Sequence, residues 1–281
     1  MRSYKPLLLI VPSLIILVAI LLIDKPLPPK EEPAKQMAVT RQETSTREIQ
    51  SSETTDREEY VDFDPIELTL VVGKTGSLKN GGSEPIYEDS NEESTVIAKL
   101  EFNCAVIKAA DQLEKGWICV DLLEKGTGYV REDHVECVDV SFGSGNPVRD
   151  GIVKDAFSYL GLKFVRYGTS LQDGIDCSNF VQQIYGQNGI DTPRKPKNQA
   201  KAGQEISDEE ILPGDLIYYD KANNGYGHIG IFMGDGFIIN SSGHSGKTYP
   251  EGGVRLVRVL YPDRTSYKVI SYLNEEGTEE R

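Results

Sequence analysis

The stretch Asp176-Cys177-Ser178-Asn179-Phe180-Val181 sets the reading of the whole chain. It follows a glycine-bearing loop and opens a run in which Phe180, Val181, Ile184 and Tyr185 share one helical face, with Gly189 as the stop. That spacing predicts a helix beginning at Cys177. Free N–H groups and the positive dipole end at a helix start favour a thiolate over a thiol, so Cys177 is the expected nucleophile. A nucleophilic sulfur needs a base within reach.

Histidine is scarce: the chain has only His134, His228 and His244. His228 opens an alternating run to Met233, Gly234-Asp235-Gly236 is a turn signal, and Phe237-Ile238-Ile239-Asn240 reads as the returning strand. A hairpin loop over Met233 to Asp235 would pair Phe232 with Gly236 and set His228 directly opposite Asn240, on one sheet face. A thiol at a helix start, an imidazole on a strand and an amide able to hold the imidazole make a Cys-His-Asn constellation suited to acyl transfer. His244, in the loop after Asn240, competes for the third position. His134 is assigned no role.

Three further pieces extend the pattern: Pro213-Gly214-Asp215-Leu216-Ile217-Tyr218-Tyr219, Gly227-His228-Ile229-Gly230-Ile231 and Asn240-Ser241-Ser242. Together with Asp176-Cys177-Ser178 they resemble the NlpC/p60 cell-wall cysteine peptidases, over roughly Val148 to Leu273. The resemblance implies an α+β, papain-like catalytic domain at 148–273. It also implies cleavage of peptidoglycan stem peptides between D-glutamate and the diamino acid, with no cofactor and no metal. Cys177 matches the nucleophile, His228 the base and Asn240 the third polar position. Asp176 and Ser178 are expected to bind substrate.

Three positions depart from the family pattern. Val165 stands where a Tyr hydroxyl is usual. Lys195 follows Pro193-Arg194 where an Asp that helps bind a free stem amine is frequent. Asn179 replaces a small Gly and is expected to narrow the cleft. All three bear on specificity and rate rather than on the chemistry. The alternatives are a wall-binding protein with an impaired catalytic domain, and a papain-like amidase or acyltransferase acting on another substrate.

Outward from this core, composition narrows the partners. The chain has 281 residues and a formal net charge of −14, which offers no basic footprint for nucleic acid. Its length supports a core without a disulfide framework. Its four cysteines include no CxxC pair, which argues against zinc. Cys104, Cys119 and Cys137 stay open between a disulfide pair plus one thiol and three buried thiols.

Leu7 to Ile23 is uncharged and preceded by Arg2 and Lys5. Asp24-Lys25-Pro26-Leu27-Pro28-Pro29 offers no small-residue cleavage site, so residues 1–23 are expected to be an uncleaved signal anchor with the bulk of the chain on the cell-wall side of the membrane. Secretion after signal cleavage is the alternative. Residues 24–60 are polar and proline-rich and read as a stalk, with ends on the order of 30–40 Å apart. Residues 63–140 carry short β-branched runs separated by turns, and the pieces around Gly116-Trp117 and Gly128-Tyr129 resemble a small all-β SH3-like barrel. Asp150 to Leu160 is expected to be helical, and strands are expected from Asp215 onward.

Overall fold

The computed structural model describes residues 64–74, 82–101, 103–109, 114–220, 227–243, 253–259 and 267–273. The expected anchor at 1–23, the stalk at 24–60 and His244 lie outside the described residues. Among the described residues no helix is long and apolar enough to cross a membrane.

Among the described residues from Ile66 to Phe142 the regular elements are strands and two single-turn 3-10 helices. The strands are β1 (Ile66–Gly73), β2 (Ser83–Tyr87), β3 (Val96–Glu101), β4 (Cys104–Lys108), β5 (Trp117–Asp121), β6 (Thr127–Arg131) and β7 (Val135–Phe142). Alternation buries one face: Ala98 and Leu100 point inward from β3 while Lys99 is exposed. β1 runs antiparallel to β7 from Ile66 opposite Phe142 to Gly73 opposite Val135, and its end also pairs with β4. The expected small barrel does not close: among the described residues β3 pairs only with β2, and β7 only with β1. The ladder instead opens toward the rest of the chain. β4 carries a second partner further along, which draws it out of a closed ring.

The remaining elements are α1 (Pro147–Ser158), β8 (Thr169–Ser170), β9 (Gly174–Ile175), α2 (Cys177–Gln187), α3 (Pro196–Ala202), β10 (Gln204–Ile206), β11 (Leu216–Tyr219), β12 (His228–Gly234), β13 (Phe237–Ser242), β14 (Gly253–Arg258) and β15 (Tyr267–Ser271). α1 starts a few residues before the apolar periodicity does, because Asn146 caps it and Pro147 fills its first turn. The Asn146 side chain accepts from the N–H of Val148 at 3.1 Å and of Arg149 at 3.2 Å. α3 was not expected. Its polar sequence carries no apolar stripe, and Pro196 marks its first turn.

Strand order is β10-β15-β11-β12-β13-β14, and β14 then pairs with β4, Leu256 opposite Ala105 and Val257 opposite Cys104. The two sets of strands are thus one hydrogen-bonded sheet, within a single compact unit spanning Arg57–Arg281. Two cores lie on its faces. One holds α1 and α2 against Ile229, Ile231, Met233, Phe237 and Ile239. The other packs Ile217, Phe232, Ile238 and Val257 against Val71, Ile86, Leu100, Val106 and Val120 of the first strands. Cys104 and Cys119 are buried free thiols and Cys137 is an exposed one.

The hairpin differs from the sequence expectation. Asp235 and Gly236 both take positive φ, 49° and 77°, so the Asp-Gly pair forms the turn itself, and Gly234 pairs with Phe237. A register shift between Phe232 and Gly234 then sets Phe232 opposite Ile238 and Ile231 opposite Ile239. Continuing that register places Gly230 opposite Asn240. His228 and Asn240 therefore share a sheet face as diagonal neighbours, not as a directly opposed pair.

One buried ion pair ties α1 to the sheet. Arg149, 2 % exposed, reaches Asp215, fully buried, at 2.9 Å, and also donates to the carbonyls of Pro213 at 3.1 Å and Leu273 at 3.3 Å. Ser271 Oγ and the Leu212 N–H satisfy the carboxylate at 2.6 and 2.9 Å. Removing one partner strands the other charge in the core. Asp215→Ala is expected to cost about 3–5 kcal/mol in urea unfolding, and the double variant Arg149→Met/Asp215→Leu to be more stable than Asp215→Ala. Equal stability of Asp215→Ala and the wild type would contradict this account.

Candidate active site

The helix that carries Cys177 is held by its own cap. Asp176 Oδ1 accepts from the Asn179 N–H at 2.9 Å and from Ser178 Oγ at 3.2 Å. Arg194 grips the same carboxylate with both terminal nitrogens, at 3.1 and 2.5 Å, and donates to Ser178 Oγ at 2.8 Å. Asp176 and Ser178, expected to touch substrate, are 8 % and 3 % exposed, and their polar atoms are spent on this cap. They sit beside Cys177 and fix where it stands. Arg194 is a site residue that the sequence pattern did not single out. A lone arginine after a proline carries no signal of its own.

Asn179 is 1 % exposed and does not project into a cleft. Its amide donates to the carbonyl of Gly168 at 3.0 Å, the same oxygen that accepts from the Asp176 N–H at 3.3 Å. The residue fastens the loop before the nucleophile onto the helix. Val165 packs on Gly174, where an added Cβ would come within 2.4 Å of a Val165 methyl. Tyr167 stands out from this loop, 67 % exposed, with φ of 63° and the Arg166 guanidinium 5.2 Å from its ring centre. Lys195 is exposed.

The Cys177 thiol is 8 % exposed. Burial, reinforced by the Asp176 charge, pushes its pKa up to about 11, while the N–H groups of Ile229, Ser178 and Cys177 itself act the other way. The expectation of a thiolate favoured by the helix start is therefore corrected: desolvation outweighs the backbone donors. On the order of one thiol in ten thousand would ionise unaided at pH 7. The Ile229 donor also places the sulfur at the beginning of β12, one residue from His228.

His228 is the first residue of β12 and half-buried. Its ring stacks on Tyr219, centroids 6.2 Å apart at 28°, and Tyr219 in turn faces Tyr267 at 6.2 Å. Asn240 is 3 % exposed, and its buried Oδ1 has no hydrogen-bond partner among the described residues. A buried amide oxygen without a donor is costly, and one aimed for a ring N–H has a use. His134 belongs elsewhere, with Nδ1 2.8 Å from Glu84.

Residues 161–261 match the model of the NlpC/P60 family. The chain is similar to the gamma-D-glutamyl-L-lysine dipeptidyl-peptidase of Bacillus subtilis, 31% identical over 158 residues, covering 56% of this chain and 50% of that protein. It is similar to the murein DD-endopeptidase MepS/murein LD-carboxypeptidase of Escherichia coli, 35% identical over 106 residues, covering 36% of this chain and 56% of that one. It therefore spans about half the length of these curated relatives. A solved NlpC/P60 family protein from Bacillus cereus aligns over 74% of this chain and 64% of its own, with 23% identity and a TM-score of 0.40.

The thiol's position has a consequence for stability. A group whose pKa is raised on folding, here from 9.0 to about 11, adds stability that is full below 9.0 and is lost as pH rises through about 11. Between those pH values the stability of the wild type relative to Cys177→Ala is expected to fall by about 2–3 kcal/mol, read from urea titrations of both proteins. A constant difference across that window would contradict the burial of the thiol.

Proposed function

We propose, from the membership of residues 161–261 in the NlpC/P60 family, that the chain is a thiol peptidase that cuts the stem peptides of peptidoglycan between D-glutamate and the diamino acid. The observation that carries the reading is the high-pKa thiol of Cys177 against the start of β12, one residue from an imidazole, with an unpartnered amide oxygen on the imidazole's sheet face. A thiol so reluctant to ionise alone is suited to giving up its proton only when a base takes it.

In this reading His228 accepts the thiol proton as the sulfur attacks the peptide carbonyl. The imidazolium then protonates the leaving amine, and the neutral ring later draws a proton from the water that releases the acyl group. The thiol meets the main chain of Ile229, while the His228 side chain leaves the strand on the other face, so the transfer runs round the end of β12. Asn240 Oδ1 accepts a ring N–H and holds the useful tautomer. The developing oxyanion is stabilised by backbone N–H groups, that of Cys177 among them. Similarity to a gamma-D-glutamyl-L-lysine dipeptidyl-peptidase and to a bifunctional muramidase/DL-endopeptidase supports the bond chosen. With the Asp176 carboxylate already gripped by Arg194 and a lysine at 195, the site favours stems within the wall over released stems with a free amine.

We also propose that Leu7–Ile23 holds the chain at the membrane and that residues 24–60 lift the enzyme into the wall. The open β-ladder of β1–β7 serves in this reading as an SH3-like module that shapes the cleft. A second reading, wall binding without hydrolysis, is favoured by Val165, which leaves out a hydroxyl usual in the family.

Digestion of purified peptidoglycan by the full-length protein separates these readings. New stem fragments by mass spectrometry, with a rate about 10³-fold lower or less in Cys177→Ala, are the expected result. Retained wall binding with no fragments released by the wild type would overturn the peptidase and leave the binder. Membrane fractionation with and without residues 1–23 tests the anchor, which fails if both forms stay in the soluble fraction.

A further inference from the structure

The sheet face that carries His228 and Asn240 is covered not by the nucleophile's helix but by the first set of strands. Phe232, Ile238 and Val257 project from that face into a core shared with Ile86, Leu100 and Val106. On it Asn240 lies directly opposite Arg255 in the β13–β14 ladder, and opposite Gly230 on its other side, where an added Cβ would come within 3.0 Å of the Asn240 Cβ. Gly230 offers no side chain, so Arg255 is the lateral neighbour that Asn240 packs against. Directly opposed residues on one face have Cβ atoms about 4.5–5.5 Å apart.

Arg255 is 7 % exposed, and its Nη1 lies 2.8 Å from Oε2 of Glu101. Glu101 is the last residue of β3. Its carboxylate is the counter-charge that the first set of strands supplies to a buried cation beside Asn240. Among the described residues Asn240 Oδ1 has no hydrogen-bond partner, so packing fixes its direction.

We infer that Glu101 and Arg255 are positioning residues: Arg255, pinned by Glu101, sets the Asn240 carboxamide, and through it the ring of His228. The inference rests on the thiol–imidazole reading above. It makes the first set of strands part of the reaction's machinery, not an appendage. Glu101 also cancels the Arg255 charge on the face where imidazolium forms. Removing Glu101 takes a negative charge from that face and disfavours the imidazolium; removing Arg255 takes a positive charge away and favours it. Other titratable or charged groups near these residues include Cys104, whose Sγ lies 3.7 Å from Oε2 of Glu101, Tyr219 and Tyr267 beside His228, Tyr218 with Asp220, and Asp176 with Arg194 at the thiol. The variants below leave all of them in place.

The test is the pH dependence of iodoacetamide alkylation at Cys177 in the full-length protein, followed by mass spectrometry of the peptide that carries it, with thermal melts alongside. Wild type, His228→Ala, Glu101→Gln and Arg255→Met are compared. Both Glu101→Gln and Arg255→Met are expected to lower the plateau rate about tenfold, within the range for coupled neighbours. The acid limb is expected to move to lower pH in Glu101→Gln and to higher pH in Arg255→Met. A purely structural ion pair would lower the melting temperature and leave the limb where it is. Folded variants whose profiles superimpose on the wild type would overturn the inference alone. A wild-type profile equal to that of His228→Ala would remove the thiol–imidazole pair, and both readings with it. Should either variant fail to fold, Glu101→Asp and Arg255→Lys keep the charges but misplace the guanidinium. Each is then expected to lower the plateau without moving the limb, and an unchanged plateau would overturn the positioning role.

Discussion

The cap on the nucleophile's helix is the constraint from which the site follows. Asp176 puts a carboxylate at the residue before Cys177 and accepts four hydrogen bonds, one each from Asn179 and Ser178 and two from Arg194. Its charge raises the thiol's pKa, and its carboxylate is ion-paired with Arg194, which also donates to the Ser178 hydroxyl. Exchanging Asp176 for a neutral cap would relieve the thiol electrostatically. It would also release Arg194 and the Ser178 hydroxyl from their common acceptor. Helix start, thiol position and the arginine are therefore one coupled arrangement, and no member of it can be assigned an energy by itself.

That arrangement sits on one face of a sheet whose other face carries the imidazole and the amide. The division follows from the period of two along β12: Ile229, Ile231 and Met233 pack against the helices, while Phe232 packs against the first strands. Gly230 lies between His228 and Phe232 on the second face and leaves room for Asn240. The strand thus lies between the core that holds Cys177 and the face that carries His228, and the thiol meets its main chain at Ile229. Continuity of β14 with β4 then makes the second face an interior surface. A protein with the same helix and hairpin but no preceding strands would expose that face to water.

The parts of the fold legible in the sequence are those with a strong local signal. The apolar stripe of Phe180, Val181, Ile184 and Tyr185 located the helix, and the turn residues Asp235-Gly236 located the hairpin. The hairpin's register was not legible, because it depends on whether the Asp-Gly pair or the residues before it form the turn. A bulge at Gly234 shifts the pairing without leaving a mark in the alternation. α3 was missed because its one buried side chain among polar neighbours, Gln199, is held by polar contacts to Ser178 and Thr192 rather than by an apolar stripe. The thiol's pKa was misjudged for a related reason. The helix start is visible in sequence, but the burial that outweighs it comes from the core that distant segments build around the thiol.

The three departures from the family pattern take on different meanings once side chains are placed. Asn179 does not narrow anything. Its amide bonds to Gly168, and the turn it secures includes Tyr167, a non-glycine residue at positive φ whose backbone costs about 1–2 kcal/mol. That strain persists because the Gly168 N–H bonds back to Val165 at 2.8 Å while its carbonyl takes two donors from the nucleophile's segment. A glycine at 179 would leave one of those donors out. The substitution at 179 and the exposed ring at 167 are therefore linked through one carbonyl. Val165, half-buried against Gly174 in the same turn, is part of that packing, and a ring in its place would have to displace the glycine it covers. Val165 and Asn179 therefore act on the same loop before Cys177, one by packing on Gly174 and the other by bonding the Gly168 carbonyl.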